Sequence, residues 1–214
     1  MPDLALDADT PLNGAADQVV ARKRPKPGER RVQILQALAT MLEQPGAERV
    51  TTAALAAKLD VSEAALYRHF ASKAQMFEGL IEFIEQSVFT LVNQIAEREV
   101  DPSARARRLV VMVLQFAEKN PGMTRVMVGD ALVFENDRLQ ERMNQFFDKL
   151  ESNLKQGLRD AGTANGAATP TVDAQVRASV AVAFMVGRLQ RFARSGFKRL
   201  PSEHLEASLA TILG

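Results

Sequence analysis

The sequence predicts an all-α protein: a three-helix, helix-turn-helix module near the N-terminus, followed by a larger helical body. Three observations carry this. Apolar residues recur at i, i+3, i+4 and i+7 from about Gly28 to the C-terminus, the spacing of one buried helix face. No convincing run alternates with the period of two that a strand requires. Basic residues are concentrated early: residues 21–73 hold ten Lys or Arg against five acids, whereas residues 74–214 hold 17 of each. A basic third joined to a neutral body is the electrostatic footprint of a nucleic-acid module attached to something else.

Residues 1–27 contain Pro2, Pro11, Pro25 and Pro27 and lack sustained periodicity, which reads as a mobile tail with too little apolar surface to offset chain entropy. Its basic end, Arg22-Lys23-Arg24-Pro25-Lys26, is either a solvated tether or an arm along phosphates. The DNA-binding module is expected over 28–73 and the body over 74–214. Ile34, Leu35, Leu38, Met41 and Leu42 mark the first helix, which Pro45-Gly46 ends. Short helices follow at about 51–59 and 62–69. Ser72 then caps a long helix running to about Ala96, with Met76, Phe77, Leu80, Ile81, Ile84, Val88, Leu91, Val92 and Ile95 as its apolar positions.

In the body, Asp101-Pro102 opens a helix that Asn120-Pro121-Gly122 stops. A short helix at 123–128 and a longer one at 136–159 come next. The run 161–171, rich in Gly, Ala and Thr, reads as a flexible linker. Helices over about 171–194 and 202–213 close the chain and should form a two-fold interface, with Phe184 and Gly187 allowing close packing. Arg188, Arg191 and Arg194 are rim charges of that interface or a solvated face. Met112, Phe116, Met123, Met127, Phe134, Phe146 and Phe147 read as core packing.

The chain contains no cysteine, so disulfide frameworks and thiolate metal sites are excluded. No stretch approaches the ~18 apolar residues of a membrane span, and no membrane partner is expected. Only His69 and His204 are present, without a glycine-rich phosphate loop or a helical His-Glu metal pair. These features argue against an enzyme and imply no cofactor and no metal.

The segment from Arg49 to Phe70 carries the chemistry. Leu55, Leu59, Val61, Leu66 and Phe70 can share one small core, and Ala56 lets two helices cross closely. A second helix laid in the ~12 Å major groove reads base edges with its first residues, here Ser62, Glu63 and Ala64, of which Ser62 either reaches a base or serves only as the helix cap. An alanine methyl can meet a thymine methyl, while Glu63 either accepts from cytosine or points away. Thr51 and Thr52 open the preceding helix, where they cap it or bind a phosphate. Tyr67, Arg68, His69 and Lys73 form a phosphate clamp that sets register without reading sequence.

Leu55-Ala56, Val61-Ser62, Leu66-Tyr67, His69-Phe70 and Ser72-Lys73, at their spacing here, resemble the DNA-binding domain of TetR-type regulators. That resemblance implies an all-helical dimer. Asp60 stands in place of the usual turn glycine and can take the left-handed conformation at a cost of about 1 kcal/mol. Further matches at 61–70, 76–85, 120–125, 135–140 and 191–198 are similar to the nucleoid occlusion branch of that family. This implies a homodimer on palindromic DNA in the cytoplasm, associated with the nucleoid. It also implies that the DNA-bound protein engages the tubulin-like division protein FtsZ, using Phe83, Lys119 and Asn120, and blocks septum assembly over the chromosome. Leu91 stands where that branch more often has a basic residue. The alternative is a ligand-responsive TetR-type transcriptional repressor.

Overall fold

The computed structural model describes residues 28–44 and 50–214. The N-terminal tail and the Pro45-Gly46 stop lie outside the described residues. The elements are α1 (Glu29–Leu42), α2 (Thr52–Lys58), α3 (Glu63–Tyr67), α4 (Lys73–Arg98), α5 (Pro102–Lys119), α6 (Pro121–Met127), a 3-10 turn at Asp130–Leu132, α7 (Asp137–Ala164), α8 (Pro170–Arg194) and α9 (Leu205–Leu213). No strand occurs among the described residues.

Helix starts follow from side chains that replace the missing backbone partners of the first turn. Thr51, Ser62 and Ser72 accept from the N–H three residues on. Asp101 accepts from both Ser103 and Ala104, with Pro102 pre-set at the first helical position. Gln75 reaches back to the N–H of Ala71 at 2.8 Å, which fixes the entry of α4.

Three helix ends share one hydrogen-bond pattern, in which a left-handed residue lets the chain reverse over the last turn. After α7 that residue is Gly166: its N–H donates to Thr163 O, and the N–H of Ala167 donates to Gly162 O. The Gly/Ala/Thr-rich run is therefore helical to Ala164 and leaves only a tight turn before Pro170, which corrects the linker expected over 161–171. Alanine and threonine continue a helix until a glycine supplies the positive φ. After α8 the residue is Gly196, and the following Phe197 packs edge-on against Phe192 at 5.2 Å. After α2 it is Asp60, with φ of 54°: its N–H donates to Ala57 O and that of Val61 to Ala56 O.

The buried faces form one continuous apolar cluster from Ile34 in α1 to Leu213 in α9. Helices α7 and α8 pack along their length. Phe89, Phe146 and Phe147 make a chain of edge-to-face contacts between α4 and α7. Arg142 grips Glu85 through two nitrogens at 2.6 and 3.2 Å, and that hydrogen bond raises the already high pKa of its guanidinium. Arg138 meets Glu78 at 2.5 Å nearer the start of α4. Phe134 departs from its expected place in the core: it is 68% exposed beside Val133, in the loop ahead of α7.

The DNA-binding helices meet the body where α6 lies against α1. A Cβ added to Gly122 would stand 2.0 Å from the carbonyl oxygen of Ala39, so only glycine permits this approach. Arg125, itself buried, donates to Asp130 at 2.6 Å and to the carbonyl of Leu42 at 3.4 Å, so it satisfies the end of α1 from the body. Gly122→Ala is expected to cost about 1–3 kcal/mol in urea unfolding. Gly157→Ala in the middle of α7, whose added Cβ would meet only the carbonyl oxygen of Pro102 at an ordinary 3.7 Å, is the mid-helix control. An equal urea midpoint for Gly122→Ala and the wild type would show that α1 and α6 separate freely.

Candidate nucleic-acid interface

The recognition helix is α3, fixed from three sides. Ser62 caps its start, Leu66 and Phe70 bury its inner face, and Arg31 of α1 holds its end. The Arg31 guanidinium donates to the carbonyl of His69 and stacks over Phe70 at 4.0 Å from the ring centre. Nothing in the sequence distinguishes Arg31 from the other early cations. Its role depends on a contact 38 positions away.

With Leu66 inward, Glu63, Ala64, Tyr67 and Arg68 occupy the outer side of α3, and Tyr67 is 44% exposed. That face is narrow, polar and flanked by alanine, as close approach to base edges requires. Thr51 is exposed; its Oγ1 accepts from Ala54, which leaves the hydroxyl proton to donate outward. Thr52 has a different partner. Its hydroxyl donates to a Glu63 carboxylate oxygen at 2.6 Å, joining the start of α2 to the start of α3. Glu63 is thereby drawn toward α2, with one oxygen still open.

His69 is half-buried at the end of α3, and Lys73 forms an ion pair with Glu135 of the body. The two side chains of that pair are only 25% and 10% exposed, and the Lys73 ammonium also lies 5.6 Å from the centre of the Phe77 ring. The face thus gathers Thr51, Glu63, Ala64, Tyr67 and Arg68, while Lys73 is directed toward the body. Sequence spacing could not anticipate Glu135 as its partner.

The other candidate residues lie on the α4–α5 hairpin. Phe83 is 47% exposed on α4, although Leu80, Ile81 and Ile84 beside it are buried. Lys119, the last residue of α5, is exposed, and the Asn120 amide donates back to the carbonyl of Phe116 at 2.7 Å. Because α4 and α5 reverse over a short turn, Phe83 lies ~22 Å back along α4 and Asn120 ~27 Å along α5, at about 1.5 Å per residue. The three therefore sit at similar heights on adjacent helices.

A capped, exposed recognition helix on an all-helical body defines a helix-turn-helix DNA-binding regulator of the TetR type. Residues 34–80 match the bacterial regulatory proteins of the tetR family, and residues 101–213 match the tetracyclin repressor-like, SlmA-like C-terminal domain. The chain is 52% identical over 182 residues to the nucleoid occlusion factor SlmA of Photobacterium profundum, covering 85% of this chain and 92% of that one. It is 51% identical over 178 residues to the SlmA of Idiomarina loihiensis, covering 83% and 90%. The TetR-family regulator PfmR from Thermus thermophilus shares the fold at a TM-score of 0.69 and 23% identity, over 85% of this chain and 97% of that one. This chain belongs to the SlmA family of nucleoid occlusion factors, which are TetR-type DNA-binding proteins.

Freeing Glu63 should place an unscreened carboxylate near phosphate. Thr52→Val is expected to weaken duplex binding about tenfold, and Thr52→Val/Glu63→Ala to recover to within about threefold, as measured by fluorescence anisotropy. A loss that persists in the double variant would show instead that the Thr52 hydroxyl itself touches DNA.

Proposed function

We propose that the protein acts as a homodimer on palindromic chromosomal DNA and, held there, binds FtsZ and antagonises septum assembly over the nucleoid. Family membership supports the nucleoid occlusion role. The observation that carries the partner assignment is Phe83, a large aromatic left half in solvent on a helix whose neighbouring apolar side chains are buried. A groove between two helices is a suitable receptor for a short, partly apolar tail, with Lys119 and Asn120 at its edge. Base reading is assigned to Ser62, Glu63 and Ala64, and phosphate contact to Thr51, Tyr67, Arg68, His69 and Lys73, while Thr52 positions the Glu63 carboxylate. Lys73 would exchange Glu135 for phosphate.

The second copy fits the outer face of α8. Ala174, Ala178, Ala181, Met185 and Leu189 pack inward, yet Val172, Val176 and Val180 form an exposed stripe at four-residue spacing. The stripe leads to Phe184 and Gly187, which line a surface groove of about 610 Å³ together with Glu203 and His204 of the following turn. A helix with two apolar faces needs two partners, and TetR-type regulators dimerise. Two-fold symmetry then sets the recognition helices one DNA turn (~34 Å) or more apart. The site of action assigned here is the nucleoid, within the cytoplasm. Among the described residues no helix is long and apolar enough to cross a membrane.

The test is sedimentation of FtsZ polymers with GTP, with and without a palindromic duplex that the protein binds. The complex should lower the pelleted fraction. Phe83→Ala should weaken that effect at least about tenfold in concentration while leaving duplex affinity unchanged. Unaltered FtsZ pelleting in the presence of the wild-type complex would point to a ligand-responsive repressor instead.

A further inference from the structure

The C-terminal end of α8 and the turn after it carry Arg188, Arg191, Arg194, Lys198 and Arg199, with no acid between Arg188 and Arg199. Arg188 is occupied: it stacks on Phe184 at 5.1 Å and donates to the carbonyl of Glu203 at 2.6 Å. The other four are exposed, and their side chains have no ion-pair or hydrogen-bond partner among the described residues. Four unpaired cations so close together repel one another, which favours an anionic partner.

Their backbone is held, not floppy. The Ser195 hydroxyl accepts from the N–H groups of Lys198 and Arg199 at 3.1 and 2.9 Å and donates to the carbonyl of Phe192 at 2.9 Å. Gly196 and Phe197 both take the left-handed conformation, with φ of 61° and 64°. A phenylalanine rarely adopts this conformation, and here its edge-on contact with Phe192 holds it there. Such a turn fixes the direction in which Lys198 and Arg199 leave the body.

The end of α8 lies toward the helix-turn-helix. Arg194 and Ala193 border one surface groove with Gly129, Asp130 and Val133. Asp130 holds the Arg125 that reaches Leu42 of α1, and Glu135 pairs with Lys73 at the start of α4. The end of α8 therefore stands beside the segment that touches the DNA-binding helices twice.

We propose that Arg194, Lys198 and Arg199 form a second DNA contact, a sequence-independent clamp on the phosphate backbone between the half-sites read by the two copies of α3. It rests on DNA binding by the helix-turn-helix and on the dimer proposed above. The clamp adds affinity and salt dependence while leaving base discrimination to α3.

The test compares wild type with Arg194→Gln/Lys198→Gln/Arg199→Gln, using a duplex that the wild type selects from a random pool and a shuffled duplex of equal length. Binding is measured from about 50 to 300 mM salt. The variant should bind both duplexes at least about tenfold more weakly at roughly 100 mM salt, with their affinity ratio preserved. Its slope of log K against log salt should be shallower by ~0.9 for each phosphate that the clamp no longer neutralises. Arg98→Gln/Arg107→Gln/Arg108→Gln, which removes the same charge at the opposite end of α4, should leave the slope unchanged. If the triple variant unfolds, Arg199→Gln alone should still reduce the slope. An unchanged slope in a folded, dimeric variant, or an equal loss in the distal control, overturns the proposal. Abolished FtsZ antagonism with unchanged DNA binding also overturns it, by assigning the patch to a protein partner. A wild type that binds no duplex at all fails at the helix-turn-helix and takes the clamp with it.

Discussion

Gly122 meets the carbonyl of Ala39 more closely than any side chain allows, and the rest of the molecule is arranged around that approach. It seats α6 on α1, and Arg125 then completes the backbone bonding at the end of α1 from within the body. One continuous apolar cluster spans the DNA-binding helices and the body. The recognition helix is therefore mounted on the same framework that carries α4, α5 and α8. Arg31 transfers that rigidity to α3 by holding the carbonyl of His69.

This arrangement suits an adaptor. The exposed face of α3 lies at one end of the molecule, and α4 runs from that end into the body, where Phe83 is offered to solvent. The ion pairs of Glu78 and Glu85 with Arg138 and Arg142 fasten α4 to α7, so the helix bearing Phe83 is braced on either side of it. The partner proposed for this site would be carried to the chromosome on the same framework that holds α3. Lys73 stands at the junction, paired to the body through Glu135 yet only a few residues beyond the recognition helix.

Local chemistry is legible in the sequence and long-range pairing is not. Thr51, Ser62, Ser72 and Asp101 announce helix starts because a short polar side chain ahead of an apolar period has one favourable use there, and all four cap as expected. Asp60 in the turn reads as a tolerated left-handed residue, and its φ of 54° agrees. The run after Gly162 misleads because composition alone cannot distinguish a linker from a helix ended by a single glycine. Phe134 misleads because hydrophobicity does not say which side of a loop faces water. The partners of Arg31, Lys73 and Arg125 lie 38, 62 and 83 positions away, beyond the reach of any local pattern. The DNA face is recognisable as a motif, whereas the way it is held becomes visible only in three dimensions.

The clamp proposed at the basic end of α8 would give the body its own contact with DNA, so that the whole molecule, not α3 alone, is oriented on the duplex. The DNA face and the proposed FtsZ face should be usable together on one body. Two-colour sedimentation velocity, with a fluorescent duplex and a fluorescent FtsZ C-terminal tail, addresses it directly. Both labels should move with the protein in a single ternary boundary. A duplex that displaces the tail, leaving the two labels in separate boundaries, would contradict it.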